Sequence, residues 1–470
     1  MAASMGTATG PAKLQAVTDL VNKLSDDVEQ TSLLPKDRND ALQELKIFGR
    51  DPKDADPIFT EKGMTMLLRY AFHSDSSETA REALRVVSNA MLLKSETRQM
   101  FIRQGYAAQA CDQLSSESWD DEFLLSRILF LCTYGTDIDF KALIEDHQLA
   151  NHTIYNLERH ITLPVMKKTQ GRDPMEQMAL VETLKLMFNA SYFCKAKVSA
   201  FTPAVSIITS LLCKPDVSDA NPLEPPFSPL VNSLLNLDIQ ADESRSSLYP
   251  DDAPCRVTSR IVNLLDRGLR AYSGNDLETL VTPVVSLLSR LYENAPLDVR
   301  QAMKEVLLPT VEDRQVVLGH GESLASKLLN NSTNPTAPAL RDAISHLLFD
   351  LSDKDASTFV ENVGYGFASG FLFQNNLPVP SSFSSGLSRG EASRGQKPVN
   401  PITGQFLDEE KLANVPDLTE EEKQREAERL FVLFERLKKT GIISMQNPVE
   451  KAVQEGRFEE LSDDYVEELD

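Results

Sequence analysis

Three stretches of this 470-residue chain carry residue types that could do metal, phosphate or nucleophilic chemistry. His147 and His152 are the nearest pair among six histidines. They lack the four-residue spacing and the intervening glutamate that place two imidazoles on one helical face around a zinc ion. Gly364-Tyr-Gly366-Phe-Ala-Ser-Gly370 is one residue too long for a dinucleotide fingerprint and follows no strand pattern. Glycine's access to positive φ makes it a tight turn between helices. In Leu318-Gly-His-Gly-Glu-Ser323 the serine lacks the flanking glycines of a nucleophile elbow. No phosphate-binding loop ending Gly-Lys-Ser/Thr occurs. The expectation is a non-covalent function with no cofactor, no metal and no catalytic residue.

Two asparagines carry a different chemistry. Asn89 ends Glu-Ala-Leu-Arg-Val-Val-Ser-Asn and Asn189 ends Glu-Thr-Leu-Lys-Leu-Met-Phe-Asn, near copies of one unit. A side-chain amide both donates and accepts, so a row of amides on one face can satisfy the backbone of a bound polypeptide. An asparagine that is merely solvated, or that caps a neighbouring turn, is the plainer alternative for either one alone. Lys46 and Arg50, four residues apart, could meet a carboxylate if they line the same face; a solvated basic face is the usual meaning of such a pair.

The elements that would hold these residues are helices. Ala80, Leu84 and Val87, and again Leu180, Leu184 and Met187, recur at helical spacing; related stripes are Leu124, Ile128, Leu131 and Val284, Leu288, Leu291. Each stripe is too short to bury itself, and stacking is the solution. The predicted fold is all-α, an armadillo/HEAT-like α-solenoid whose concave groove binds along its length. The single Trp and modest Gly content argue against β-repeat architectures.

The organisation follows from composition. Residues 1–10 are small and polar and read as disordered; 11–375 form the helical body. Residues 376–404 read as a flexible Ser/Gly/Pro linker, and 405–470 as an acidic tail with 19 acids against 9 bases. Within the tail, Thr419 and Glu422 make a capping box, Lys438 and Lys439 suit a last turn and Gly441 a stop, which predicts an amphipathic helix over about 419–440. Its apolar side is Leu430, Phe431, Phe434 and Leu437, a face suited to docking on a partner.

A net charge of −22 disfavours nucleic acid and anionic lipid, which need clustered cations. Cys111, Cys132, Cys194, Cys213 and Cys255 are odd in number and widely spaced, which fits a reducing compartment. No apolar run spans a bilayer and no leader pattern opens the chain, so a cytoplasmic monomer without membrane insertion is expected.

Taken together, Arg81 to Tyr106, Asp121-Glu-Phe-Leu-Leu-Ser-Arg-Ile-Leu-Phe-Leu131, Glu182 to Asn189, Val363-Gly-Tyr-Gly-Phe-Ala-Ser-Gly-Phe-Leu372, Val399-Asn-Pro-Ile-Thr-Gly404 and the tail pattern resemble the synembryn family. These are armadillo-type guanine-nucleotide exchange factors and folding chaperones for heterotrimeric G-protein α subunits. The Leu433-Phe-Glu-Arg-Leu-Lys-Lys-Thr-Gly441 ending is similar to the fungal branch. The resemblance implies a groove that takes the C-terminal helix of a GDP-bound or nucleotide-free α subunit. It places Lys46, Arg50 and Asn89 on the first part of that groove and Asn189 deeper, with the tail helix on the nucleotide-binding domain. It also implies recruitment to the plasma membrane through the G protein. Lys46 stands where the family pattern has arginine, and Ser384 and Ser388 are the candidate phosphorylation positions. The alternative is an armadillo adaptor for linear motifs of nuclear-import or scaffold type. Such grooves use ladders of tryptophan, and this chain has only Trp119.

Overall fold

The computed structural model describes residues 8–162, 173–378, 397, 399–400 and 402–409. The expected tail helix with Leu430, Phe431, Phe434 and Leu437, and the linker serines Ser384 and Ser388, lie outside the described residues. Among the described residues the structure is α-helical, and the only extended pairing is an isolated bridge between Val399 and Phe406.

The principal helices are α1 (Pro11–Gln30), α2 (Pro35–Phe48), α3 (Glu61–His73), α4 (Ser77–Leu93), α5 (Trp119–Cys132), α6 (Leu149–Thr162), α7 (Pro174–Phe193), α8 (Phe227–Asn236), α9 (Arg256–Ala271), α10 (Thr282–Asn294), α11 (Pro338–Leu351) and α12 (Tyr365–Gln374). One row runs the length of the body: α2 packs on α4, α4 on α5, α5 on α7, α7 on α8, α8 on α10 and α10 on α11. The remaining helices back this row, so that α1 and α3 lie behind α2 and α4, and α6 and α9 serve the later members. This nearest-neighbour stacking is that of a solenoid.

The apolar stripes seen in the sequence are its interior. Leu84, Val87, Leu124, Ile128, Leu180, Leu184, Met187, Val284, Leu288 and Leu291 are all buried. Truncating any one of these leucines to alanine would cost about 2–5 kcal/mol. The ends of the row helices are specified locally. Ser76 caps α4 by accepting from Thr79 N, Ser118 caps α5 by accepting from Asp121 N, and Asp173 caps α7 with Pro174 in its first turn.

Loop and helix-end carbonyls are closed by arginines from elsewhere. Arg98 donates to Met91 O at 2.7 Å, Arg159 to Glu117 O at 2.8 Å, Arg260 to Leu212 O at 2.9 Å and Arg290 to Leu237 O at 3.2 Å. Each guanidinium satisfies carbonyls that a helix end or loop leaves unpaired.

The candidate chemical motifs resolve into structural roles. Gly364, at φ 81°, makes the expected turn between helix Ala356–Val363 and α12. Ser323 caps the helix Leu324–Asn331 and donates to Asp313 Oδ1 at 2.5 Å. Residues 399–400 and 402–408, the end of the stretch expected to be linker together with the first residues of the expected tail, belong with the body. They are hydrogen-bonded to it through Leu318, Arg314 and Gly366.

Candidate functional site

Along α4, α5 and α7 the positions not covered by neighbouring helices fall at helical spacing. They are Arg81, Arg85, Asn89 and Leu92 on α4; Asp120, Phe123, Arg127, Phe130 and the following Tyr134 on α5; and Met178, Lys185, Phe188 and Tyr192 on α7. The same period that buries one face of each helix leaves this one open.

Part of the open face is a ladder of charges. Lys46 on α2 pairs with Glu82 on α4 at 2.7 Å, and Arg85 pairs with the same carboxylate at 2.6 Å. Arg85 also reaches Asp120 on α5 at 2.5 Å, and Arg81 holds Asp121 through two nitrogens at 2.6 and 3.0 Å. The Asp121 hydrogen bond raises the Arg81 pKa further above its ordinary value. The pattern repeats one unit on: Arg127 from α5 and Lys185 from α7 both meet Glu182 at 2.9 Å. Glu82 and Glu182 open the two copied units, so the register read from the sequence is also the register of the ion pairs.

Toward the C-terminal half the face turns apolar. Leu92, Tyr134 and Tyr192 are 48%, 46% and 51% exposed, and Phe193 lies open beside them in sequence. Phe130 packs edge-on to Tyr134 with centroids 5.3 Å apart, Phe188 stacks on Tyr192 at 6.5 Å, and Lys185 sits over the Phe130 ring at 4.3 Å. Large rings left open in succession mark a surface that another molecule covers. Charges beside an aromatic strip suit an amphipathic polypeptide carrying acidic groups.

The residues singled out in the sequence are distributed unevenly over this face. Asn89 is half-buried and its side chain has no hydrogen-bond partner among the described residues, so its amide is available. Asn189 is 6% exposed and donates Nδ2 to Thr133 Oγ1 at 2.7 Å, which ties it to the end of α5. Lys46 has its carboxylate within the chain, in Glu82. Arg50 lies beyond the last residue of α2, in the turn after Gly49. It is exposed there and makes no ion pair among the described residues. It shares a surface cleft with Lys13, Ile47, Phe48, Asp51 and Lys53. The aromatic strip escaped sequence reasoning. Its signal was the i, i+4 pairs Phe130/Tyr134 and Phe188/Tyr192, which read equally well as core.

His147 and His152 hold separate partners, Asp112 at 2.9 Å and Ser115 at 2.5 Å, and no cluster of metal-ligating groups occurs among the described residues. Behind the row, His160 on α6 donates from Nε2 to Glu122 Oε1 at 3.0 Å, a carboxylate that also accepts from Arg159 and Thr183. Burial opposes the charged imidazole, but the hydrogen bonds and charges of Glu122 and Glu176 outweigh it and raise the His160 pKa above its ordinary 6.5.

The chain has relatives of known kind. It is 28% identical over 355 residues to a synembryn-like chaperone of Schizosaccharomyces pombe, a match spanning 71% of this chain and 64%, just under two thirds, of that protein. It is 25% identical over 458 residues to the chaperone Ric-8A of Bos taurus, covering 90% of this chain and 84% of the relative, and 26% identical over 459 residues to that of Rattus norvegicus, with the same coverage. The profile of one family matches residues 41–457, nearly the whole of the row and most of the C-terminal stretch beyond it, and on that match the chain belongs to the guanine nucleotide exchange factor synembryn family.

Proposed function

We propose that this protein is a guanine-nucleotide exchange factor and folding chaperone for heterotrimeric G-protein α subunits. The observation that carries the reading is the open face of α4, α5 and α7, where Asn89, whose amide has no partner among the described residues, shares the face with exposed rings and a ladder of ion pairs, in a chain of this family. The occupant is the α subunit's C-terminal helix. Its apolar side covers Leu92, Tyr134 and Tyr192, and Asn89 satisfies its backbone. Lys46 and Arg50 flank the near end of the face and Asn189 braces the far end.

Exchange follows from linkage. A protein that binds the nucleotide-free α subunit more tightly than the loaded one must weaken nucleotide binding by the same free energy. Chaperoning uses the same state, since covering an open, empty GTPase suppresses its aggregation. The action is non-covalent. In this reading the body carries the groove, the stretch from 405 supplies a second contact through Leu430, Phe431, Phe434 and Leu437, and the protein works as a cytoplasmic monomer brought to the membrane by its partner. Ser384 and Ser388 are its candidate regulatory phosphorylation sites. The linear-motif adaptor has less support. Trp119 is stacked on His160 at 4.6 Å and under Arg159 at 4.1 Å, so the chain's one tryptophan is engaged within the fold and supplies no ladder.

The test is to mix the protein with GDP-loaded α subunit, follow GDP release, and challenge the complex with GTPγS. The expected result is faster release and a nucleotide-free complex that GTPγS dissociates. A complex that keeps stoichiometric GDP, or survives saturating GTPγS, overturns the exchange mechanism.

A further inference from the structure

The joint between α5 and α7 is held front and back by consecutive residues. On the open side Arg127 meets Glu182 at 2.9 Å. Their sequence neighbours Ser126 and Thr183 meet at 3.1 Å, and both are fully buried. Successive positions on a helix point about 100° apart, so one pair faces the binding surface and the other faces the interior behind it.

The inner pair leads to Glu122, one turn before Ser126 on α5. Thr183 gives its only hydroxyl proton to Glu122 Oε1 at 2.8 Å, which leaves Ser126 as the donor to Thr183. Glu122 is wholly buried, and two groups of α6 converge on it: His160 Nε2 on Oε1 at 3.0 Å and Arg159 on Oε2 at 3.3 Å. Arg159 is fixed in turn by the carbonyls of Ser116 and Glu117 and lies 3.9 Å from the Glu117 carboxylate, in the loop before α5.

His160 stands between carboxylates that belong to the two helices of the binding face. Nε2 meets Glu122 on α5, while Nδ1 has no hydrogen-bond partner among the described residues and lies 3.9 Å from Glu176 Oε1, in the first turn of α7. The ring is 2% exposed and stacked on Trp119, so water cannot take the place of either carboxylate.

The two protonation states of the ring act differently on the joint. Charged, it carries N–H on both nitrogens and draws Glu122 and Glu176 toward α6 together. Neutral, with its proton kept at Nε2 for Glu122, it turns a lone pair toward Glu176, and attraction becomes repulsion. Loss of the proton therefore releases the start of α7 from behind while Arg127–Glu182 still holds it in front. A face whose helices are less firmly spaced must be ordered when it binds, and binds more weakly for that reason.

We propose that His160 is a positioning residue for the binding face: its protonated ring locks α7 to α5 from behind, so the face takes a polypeptide more tightly when the ring is charged than when it is neutral. The proposal rests on the reading of the α4, α5 and α7 face as the groove for the α subunit's C-terminal helix. Coupling of this kind is reciprocal, so a bound peptide must raise the ring's proton affinity by the factor by which the proton raises peptide affinity. The sign follows from the raised pKa of His160 in the folded chain. The clamp is complete below the ordinary value of 6.5 and is lost as pH climbs through the folded value.

The experiment uses the full chain, titrated with the isolated C-terminal peptide of a G-protein α subunit between pH 6 and pH 9. The ring proton resonance of His160 is followed with and without peptide. The parent should lose roughly fivefold in peptide affinity or more across the His160 titration, and peptide should move that titration to higher pH by the same factor. His160→Gln should bind at the parent's high-pH level throughout. Glu176→Gln, which leaves the ring and Glu122 in place, should move the affinity midpoint to lower pH. Three outcomes overturn the proposal: parent affinity that is flat while His160 titrates, pH dependence that persists in His160→Gln, or a His160 titration that peptide leaves unmoved. If His160→Gln does not fold, the parent titration and Glu176→Gln still decide the matter. A parent that binds the peptide at no pH overturns the groove reading instead.

Discussion

Asn189 Nδ2 donates to Thr133 Oγ1 at 2.7 Å, and this one bond separates the two asparagines that the sequence presents as equivalents. Thr133 caps the C-terminal end of α5, whereas the corresponding cap of α2, the helix that packs on α4, is Gly49, which has no hydroxyl to offer. Asn189→Ala should therefore lower folding stability by about 1–3 kcal/mol, the cost of a buried polar contact. Asn89→Ala should leave stability within about 0.5 kcal/mol and weaken α-subunit binding by about 1–3 kcal/mol. Urea melts and peptide titrations on both variants decide this; a reversed pattern would exchange the roles assigned to them.

Lys46 gives a single ammonium to Glu82, 2.7 Å away. A guanidinium at that place could keep the Glu82 contact on one edge and offer its other edge to a partner's carboxylate. Lys46→Arg should melt like the parent and bind the α-subunit peptide more tightly. Weaker binding would mean that position 46 serves only the ladder.

The rings at Tyr134 and Tyr192 are about half exposed, so replacing them removes little interior packing. Tyr134→Asp combined with Tyr192→Asp should cut peptide affinity at least tenfold, roughly 1.4 kcal/mol or more, with the melting temperature nearly unchanged. Normal binding by this double variant would place the partner on another face.

His160 has a raised pKa in the folded chain, with Glu122, Glu176 and Arg159 around it. A group raised on folding stabilises fully below its unfolded value, near 6.5, and loses that contribution as pH climbs through the folded value. Parent protein and His160→Gln should accordingly differ most in urea midpoint near pH 6 and converge toward pH 9. A gap that widens with pH would contradict the protonated pairing with Glu122.

What the sequence reveals here, and what it hides, has a physical basis. Helical period is set by one face meeting water and the other meeting neighbours, so the stripes through Leu84, Leu184 and Leu288 could be read directly, as could the copied units that place Glu82 and Glu182 in one register. The environment of an amide depends on what a different helix brings to it, and nothing near Asn189 in sequence announces Thr133. The open rings at Phe188 and Tyr192 look like core because burial is decided by the partner helix and not by residue type. The seating of residues 402–406 on Leu318, Arg314 and Gly366 could not be read at all: its contacts are mostly backbone carbonyls and N–H groups, which nearly every residue owns, and Arg314 is one arginine among many.

The arginines that hold carbonyls of other segments give the row a mechanical property. Arg290, on α10, grips the carbonyls at the end of α8, and Arg260, on α9, grips the end of helix Ala204–Cys213. Guanidinium stays charged across the accessible pH range, so these rivets do not loosen when carboxylates titrate. A stack whose units were joined by hydrophobic contact alone could peel from either end one unit at a time. Opening either of these two contacts must also break charge-assisted hydrogen bonds, so separating the helices there costs more than losing the apolar contact alone.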